Sequence, residues 1–310
     1  MSHILASLAH RFGGRAACAS GAAAAALAAF AGYPHRVNAS SSSAEASALP
    51  LDPNEWRPLR LVSAQPLTGG DRPTALLRFA LPPAHPPLPV ASCLLVRAPV
   101  GAAKEDGTRA FVMRPYTPVS EPDAEHLDLA LKYYAGGTLT SFLSTLKEGD
   151  TLEFKGPIPK LAVGEVEKRS AVGMVAGGTG VTPMLQLAKE LLRRGYTAPV
   201  SLVYANVSPS DIMLKDDLDA LAAKHPNFSV FYVVDKVAAG QKWGGGVGYV
   251  TPEMLRAHLP PPGKDALVCV CGPPGMMKVV SGAKVSPKDQ GPLTGMLSAL
   301  AYTAAEVFKF

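Results

Sequence analysis

Arg114-Pro115-Tyr116-Thr117-Pro118 puts a guanidinium, an aromatic ring and a hydroxyl side by side. A guanidinium pairs with phosphate, and a ring can wall one side of a flat ligand. Further along, Gly177-Gly178-Thr179-Gly180-Val181-Thr182-Pro183 joins an apolar run to a helical one. Bare glycines at a helix start let a phosphate approach the backbone N–H groups. The loop is not the GxGxxG fingerprint, so alone it is an unspecific signal. Two more segments have similar promise. Gly136-Gly137-Thr138-Leu139-Thr140 sets glycines before a helical stretch with hydroxyls in its first turn. Cys271-Gly272-Pro273-Pro274-Gly275-Met276 sets a thiol at the end of an apolar run. Each has a plainer alternative: an edge strand bounded by prolines, a helix capped by Thr138 or Thr140, a buried structural cysteine.

The elements around these segments fall into two groups. Residues 50–165 hold short apolar runs between Pro- and Gly-rich turns: 75–81, 93–98, 110–113, 127–134 and 151–154. That pattern predicts a small antiparallel β-barrel of five or six strands, with a helix near 140–146. Residues 168–310 alternate runs at 171–176, 200–205, 228–234 and 267–271 with helical stretches at 182–194, 214–224, 252–258 and 274–281. Alternation of this kind predicts a doubly wound parallel sheet, whose ligands bind beyond the carboxyl ends of the strands. The Gly177 loop, Asp235 and Cys271 all stand at such ends. A carboxylate at 235 suits the diol of an adenosine ribose and repels a 2′-phosphate; the alternative is a turn Asp. The neighbouring Lys236 softens that preference. Arg114, Tyr116 and Thr117 have the types a flavin dinucleotide needs for its pyrophosphate, its ring and its reactive nitrogen. A flavin in the barrel, supplied with hydride from a nicotinamide in the next domain, would use every segment.

Composition narrows the class. The chain has 310 residues, room for a leader and two domains. Residues 1–44 hold three arginines and no acid, so they supply +3 of the net +5 and leave +2 for the rest. A near-neutral folded part gives no sign of nucleic-acid binding. The Ala- and Ser-rich segment 1–45, free of acids up to Ala44, reads as a mitochondrial targeting sequence, with a secretory signal as the alternative. Its apolar run 16–33 is long enough for a membrane anchor. The four cysteines follow neither a CxxC nor a zinc spacing, which predicts reduced thiols and no metal.

At this point the chain resembles the NADH–cytochrome b5 reductases, within the ferredoxin–NADP reductase superfamily. The resemblance covers about 52–310 and rests on ordered segments. They are Arg114 to Ser120, Leu131 to Tyr134, Gly136 to Thr140, Lys155-Gly156-Pro157, Gly177 to Leu185, Asp211 to Lys215, Asp235, His258 to Pro262, Cys271 to Pro274 and Val307 to Phe310. It implies FAD contacts at Arg114, Pro115, Tyr116, Thr117, Lys132, Gly137, Thr138, Leu139, Thr140 and Thr182. It implies NADH contacts at Gly177, Gly178, Thr179, Gly180, Pro183, Asp235, Cys271, Gly272, Pro273 and Met276. Thr117 and Cys271 then flank the reacting atoms. The implied acceptor is cytochrome b5 or a similar haem protein taking electrons one at a time, and the implied state is a monomer.

Two departures stand out. Animal members carry Gly-x-His where this chain has Ala91-Ser92-Cys93, and Leu139-Thr140 replaces the commoner Met-Ser. The first departure and Ser281-Gly282-Ala283-Lys284 look like the mitochondrial plant-type branch. That supports a mitochondrial address, at the outer membrane or intermembrane space rather than the matrix. Three rivals fit less well. A nitrate-reductase flavin module is fused to haem and molybdenum domains. A ferredoxin–NADP reductase conflicts with Asp235 and with Phe310. An inactive tethered binding module conflicts with the intact Arg114, Thr117, Lys132 and Cys271.

Overall fold

The computed structural model describes residues 50–69, 73–83, 85–134, 136–263 and 265–310. The targeting segment 1–45 and its apolar run 16–33 lie outside them. Among the described residues no helix is long and apolar enough to cross a membrane.

The first domain is a six-stranded antiparallel sheet of β1 (Arg57–Thr68), β2 (Thr74–Ala80), β3 (Ser92–Ala98), β4 (Val112–Tyr116), β5 (His126–Lys132) and β6 (Thr151–Pro159). The spatial order is β4-β3-β6-β1-β2-β5. Alternation drives it: Leu77 and Phe79 of β2 and Phe154 of β6 are fully buried, while the residues between them are not. Their rings meet edge to face, Phe79 and Phe154 at 4.9 Å. β1 has irregularities at Leu61/Ser63 and Pro66/Thr68; its start pairs with β6 and the remainder with β2. Such bulges increase local twist and bend the layer into a barrel-like form. The apolar pattern did not announce β1, because Pro58 and Pro66 interrupt it. β4 begins two residues later than the 110–113 run suggests and takes in Arg114, Pro115 and Tyr116. It is an edge strand, and Pro115 is tolerated there for want of a further ladder partner. The helix α1 (Thr138–Leu143) lies between β5 and β6, and α2 (Val163–Val166) leads out of the barrel.

The second domain is a six-stranded parallel sheet. Its members are β7 (Ala171–Gly177), β8 (Val200–Asn206), β9 (Phe228–Val234), β10 (Gly246–Val247), β11 (Ala266–Cys271) and β12 (Val307–Lys309), in the order β10-β9-β8-β7-β11-β12. The helices are α3 (Val181–Arg193), α4 (Lys215–Lys224), α5 (Pro252–His258), α6 (Pro274–Val280) and α7 (Gly295–Ala299). β7 is the continuous apolar strand expected of a parallel sheet covered on both faces. β10, β12 and α7 are too short to show a period and were not foreseen.

α3 is buried almost all round, which a one-faced amphipathic helix is not. One side covers the parallel sheet and the other meets the barrel. One apolar cluster joins Ala91 and Ala130 of the barrel to Val181 and Leu185 of α3. The buried Gln186 accepts from the Ala91 N–H (2.8 Å) and donates to the Pro118 carbonyl (3.4 Å). Lys132 of β5 and Asp211 beyond β8 pair at 3.8 Å, with relative exposures of 4% and 0%. Cores and polar bonds both run across the domain boundary.

Candidate functional site

The two domains meet along a cleft of about 460 Å³. Pro115, Tyr116 and Thr117, at the end of β4, form one wall. Thr179, Gly180, Thr182 and Pro183, at the turn from β7 into α3, face them together with Cys271 and Gly272 at the end of β11. The cleft thus lies at the carboxyl edge of the parallel sheet, as the strand–helix alternation requires.

Backbone geometry explains the glycines. Gly178 has φ +53, a left-handed conformation that favours glycine. A Cβ on Gly180 would stand 2.2 Å from the Cys271 carbonyl oxygen, so the loop after β7 touches the backbone after β11. The Met276 thioether covers the Cα of Gly177 and of Gly272, and Pro273 borders Gly177. The Tyr204 hydroxyl, wholly buried, donates to the Gly178 carbonyl at 3.0 Å and fixes the loop from below. Thr182 Oγ1 donates to the Thr179 carbonyl (3.1 Å), and no side chain caps α3. The Val181 N–H donates back to the Gly178 carbonyl and Pro183 has no N–H, so it is the 3-10 turn Gly178–Gly180 before the helix, bare of side chains at its glycines, that suits a phosphate.

The remaining sequence-derived residues stand away from the cleft wall. Arg114 is exposed on β4, its Nη1 donating to the Met113 carbonyl at 2.7 Å. Gly137 is the N-cap of α1; neither Thr138 nor Thr140 caps it, and the Thr140 hydroxyl donates to the Gly137 carbonyl instead (3.3 Å). The Leu139 side chain is buried. Lys132 faces Asp211. Asp235 is exposed one residue past β9, its N–H donating to the Asn206 carbonyl (3.0 Å).

Burial sets the protonation states. Desolvation pushes the Tyr116 phenol up to about 12 and the Cys271 thiol up to about 12. Both are neutral hydrogen-bonding groups at physiological pH. The three described cysteines, Cys93, Cys269 and Cys271, are free.

Seven cleft residues had no ligand contact assigned from the sequence: Cys93, Ala130, Lys160, Lys284, Ser286, Pro287 and Phe310. Lys160 follows β6 directly, and only its place just beyond a strand pointed at the site. A flat aromatic cofactor fits what is present. The cleft is apolar on its Pro115, Tyr116 and Phe310 sides, offers the hydroxyls of Thr117 and Thr182, and opens toward a helix start that no side chain caps. Among the described residues no group of three His, Cys, Asp or Glu side chains is placed to hold a metal.

Comparisons with known proteins agree with this layout. Residues 68–162 match the oxidoreductase FAD-binding domain, and residues 174–282 match the oxidoreductase NAD-binding domain. The NADH-cytochrome b5 reductase-like protein of Arabidopsis thaliana is 44% identical, over 84% of this chain and 78% of that protein. NADH-cytochrome b5 reductase 2 of Candida albicans is 42% identical, over 84% of each. Among solved structures, the cytochrome b5 reductase domain of Ulva prolifera nitrate reductase is 27% identical. It superposes with a TM-score of 0.67, covering 85% of this chain and 100% of that one. The ferredoxin NADP+ reductase of Neisseria gonorrhoeae, at 16% identity, shares the fold with a TM-score of 0.62 over 82% and 98%.

Proposed function

The chain belongs to the NADH–cytochrome b5 reductase family, and we propose that its cleft passes hydride from NADH to FAD and then single electrons to cytochrome b5. The observation that carries this reading is the cleft itself. It brings Thr117 of the barrel and Cys271 of the parallel sheet onto one cavity.

Bound FAD supplies the chemistry that accepts two electrons together and releases them singly. The chain's residues do the rest. Arg114 pairs with the FAD pyrophosphate, and the uncapped start of α1 at Gly137 to Thr140, Leu139 included, presents backbone N–H groups nearby. Pro115 and Tyr116 wall the ring, and the Thr117 hydroxyl donates toward its reactive edge. Thr182 anchors the opposite side. Gly177 to Gly180, with Pro183, let the NADH pyrophosphate lie against the backbone. Asp235 takes the adenosine ribose. Cys271, Gly272, Pro273 and Met276 position the nicotinamide, and Cys271 does so as a neutral thiol. Placing donor and acceptor in contact between preorganised dipoles replaces solvent reorganisation. Lys132, paired with Asp211 at the domain boundary, also lends its cation to the FAD site.

The acid-free composition of residues 1–44 supports import into mitochondria, and the run 16–33 supports attachment at the outer membrane or in the intermembrane space. A monomer completes the reading. The test is the visible absorption of the purified protein before and after anaerobic NADH. Flavin bands that bleach faster with NADH than with NADPH are expected. A colourless protein that takes up no added FAD would end this reading. For the address, residues 1–49 fused to a fluorescent protein should direct it to mitochondria; a cytosolic signal would remove that part.

A further inference from the structure

Two ammonium groups share the cleft wall, and neither belongs to the implied ligand contacts. Lys160 enters from the barrel side, just past β6, and Lys284 from the loop after α6. No Asp or Glu lines the cleft, and neither lysine has a carboxylate partner among the described residues. Both are held. The Lys160 backbone N–H donates to the Ala91 carbonyl at 2.9 Å, beside the Gln186 strut, and its ammonium donates a hydrogen bond to the Cys93 thiol. The Lys284 Nζ donates to the Lys309 carbonyl at 2.9 Å, and Lys309 Nζ is itself claimed by the Gln290 and Pro292 carbonyls. Burial, and then the Lys160 ammonium, hold Lys284 below its ordinary lysine value. Neither ammonium faces a carboxylate across the cleft, so a negative charge that enters it meets two cations and no opposing anion.

We propose that Lys160 and Lys284 form a cationic wall for the negative charge that the flavin acquires on reduction. The proposal rests on the flavin reading above. In the step concerned, one proton and two electrons leave NADH as hydride, giving NAD⁺ and a flavin one charge more negative. On reoxidation two haem acceptors take one electron each, and the proton goes to solvent. The wall acts on the charged, reduced form and leaves the neutral oxidised form nearly untouched. It is therefore a positioning device that sets the reduction potential, distinct from any group that contacts the transferred hydride.

The experiment is the two-electron potential of bound flavin in the full chain, by equilibration with redox dyes, for Lys160→Met, Lys284→Met and the exposed control Lys288→Met. Lys160→Met is the decisive variant, because Lys284→Met also removes one of the two donors to the Lys309 carbonyl, leaving only Gln290 Nε2. The expected result is at least a tenfold loss in the reduction equilibrium for Lys160→Met, about 30 mV for a two-electron couple. Oxidised FAD should stay bound, and Lys288→Met should leave the potential in place. A potential unmoved in Lys160→Met, with flavin bound, overturns the proposal; so does an equal fall in all three variants, which net charge alone would cause. An unmoved potential with weakened use of the acceptor would assign the lysines to docking instead and also overturn it. A protein that binds no flavin at all would remove the proposed function, and this inference with it.

Discussion

Asp211→Asn tests whether the domains are held by charge. Lys132 and Asp211 are 3.8 Å apart and all but inaccessible. At an effective dielectric constant near 20, unit charges at that distance attract by ~4 kcal/mol. Desolvation offsets most of this when the pair forms, so the net value of the pair is small. Removing one partner is a different matter, because the other charge stays buried. Such single removals cost ~3–5 kcal/mol. The asparagine keeps the size of the aspartate and can still accept from Ser208, whose hydroxyl donates to Asp211 Oδ2 at 2.7 Å. The loss is then electrostatic rather than a cavity. For a chain of this size each kcal/mol shifts Tm by ~2–4 °C, so Asp211→Asn should melt about 6–20 °C lower by circular dichroism. Lys132→Met should also destabilise, and the double variant should recover part of the loss, with a coupling above ~0.5 kcal/mol. A fall below ~2 °C in Asp211→Asn, the scale of an exposed pair, would refute the reasoning. Loss of FAD in Lys132→Met but not in Asp211→Asn would make Lys132 a ligand first and a strut second.

Other outcomes follow from the geometry. Ala91 has φ +55 without being glycine, yet its methyl is buried in the interdomain cluster, so in Ala91→Gly relief of ~1 kcal/mol of strain is offset by ~0.8 kcal/mol of lost burial and the urea midpoint should barely move; a large rise would mean the methyl contributes nothing. Asp235→Ala should weaken NADH more than NADPH; an unchanged ratio of kcat/KM would sink the ribose role. Cys271→Ala should slow hydride transfer in stopped flow with FAD retained, whereas loss of FAD would make the thiol structural. The thiols also predict a pH response. Cys269 and Cys271 are both pushed up to about 12 by burial, so the unfolded chain ionises them first as pH rises. Their contribution is intact below pH ~9, where unfolded thiols are protonated, and is lost between there and 12. Urea midpoints at pH 7 and 10 would show it, and a Cys269→Ala/Cys271→Ala variant should lack much of that decline.

Much of this was legible beforehand. The strand at 228–234 and the helix at 252–258 stand where the alternation of apolar runs and helical stretches puts them, because local pattern and burial agree there. β1 was not legible, since its apolar period is broken by prolines that only a bulged, two-partner strand accommodates. Thr138 and Thr140 have the right chemistry to cap α1, yet Gly137 sits at the cap and neither hydroxyl turns to it. The walls of the cleft were readable wherever a glycine loop or a strand end announced them. Lys160 and Lys284 were not, because a lysine just past a strand or in a loop after a helix usually points to water. Only the meeting of two separate domains turns these two inward. Lys132 was singled out for chemistry, and its burial against Asp211 depends on a contact between elements that no local pattern encodes.

The strand order of the barrel also has a cost in time. β6 lies between β3 and β1, so the β1–β2 hairpin and the β3–β4 hairpin share no ladder until residues 151–159 exist. A chain leaving the ribosome therefore carries two half-sheets with open edges while α1 and the turn after it are made. Such edges invite pairing with other chains, and long-range closure of this kind is slow. During synthesis, the interval before β6 emerges is when the barrel domain most needs a chaperone.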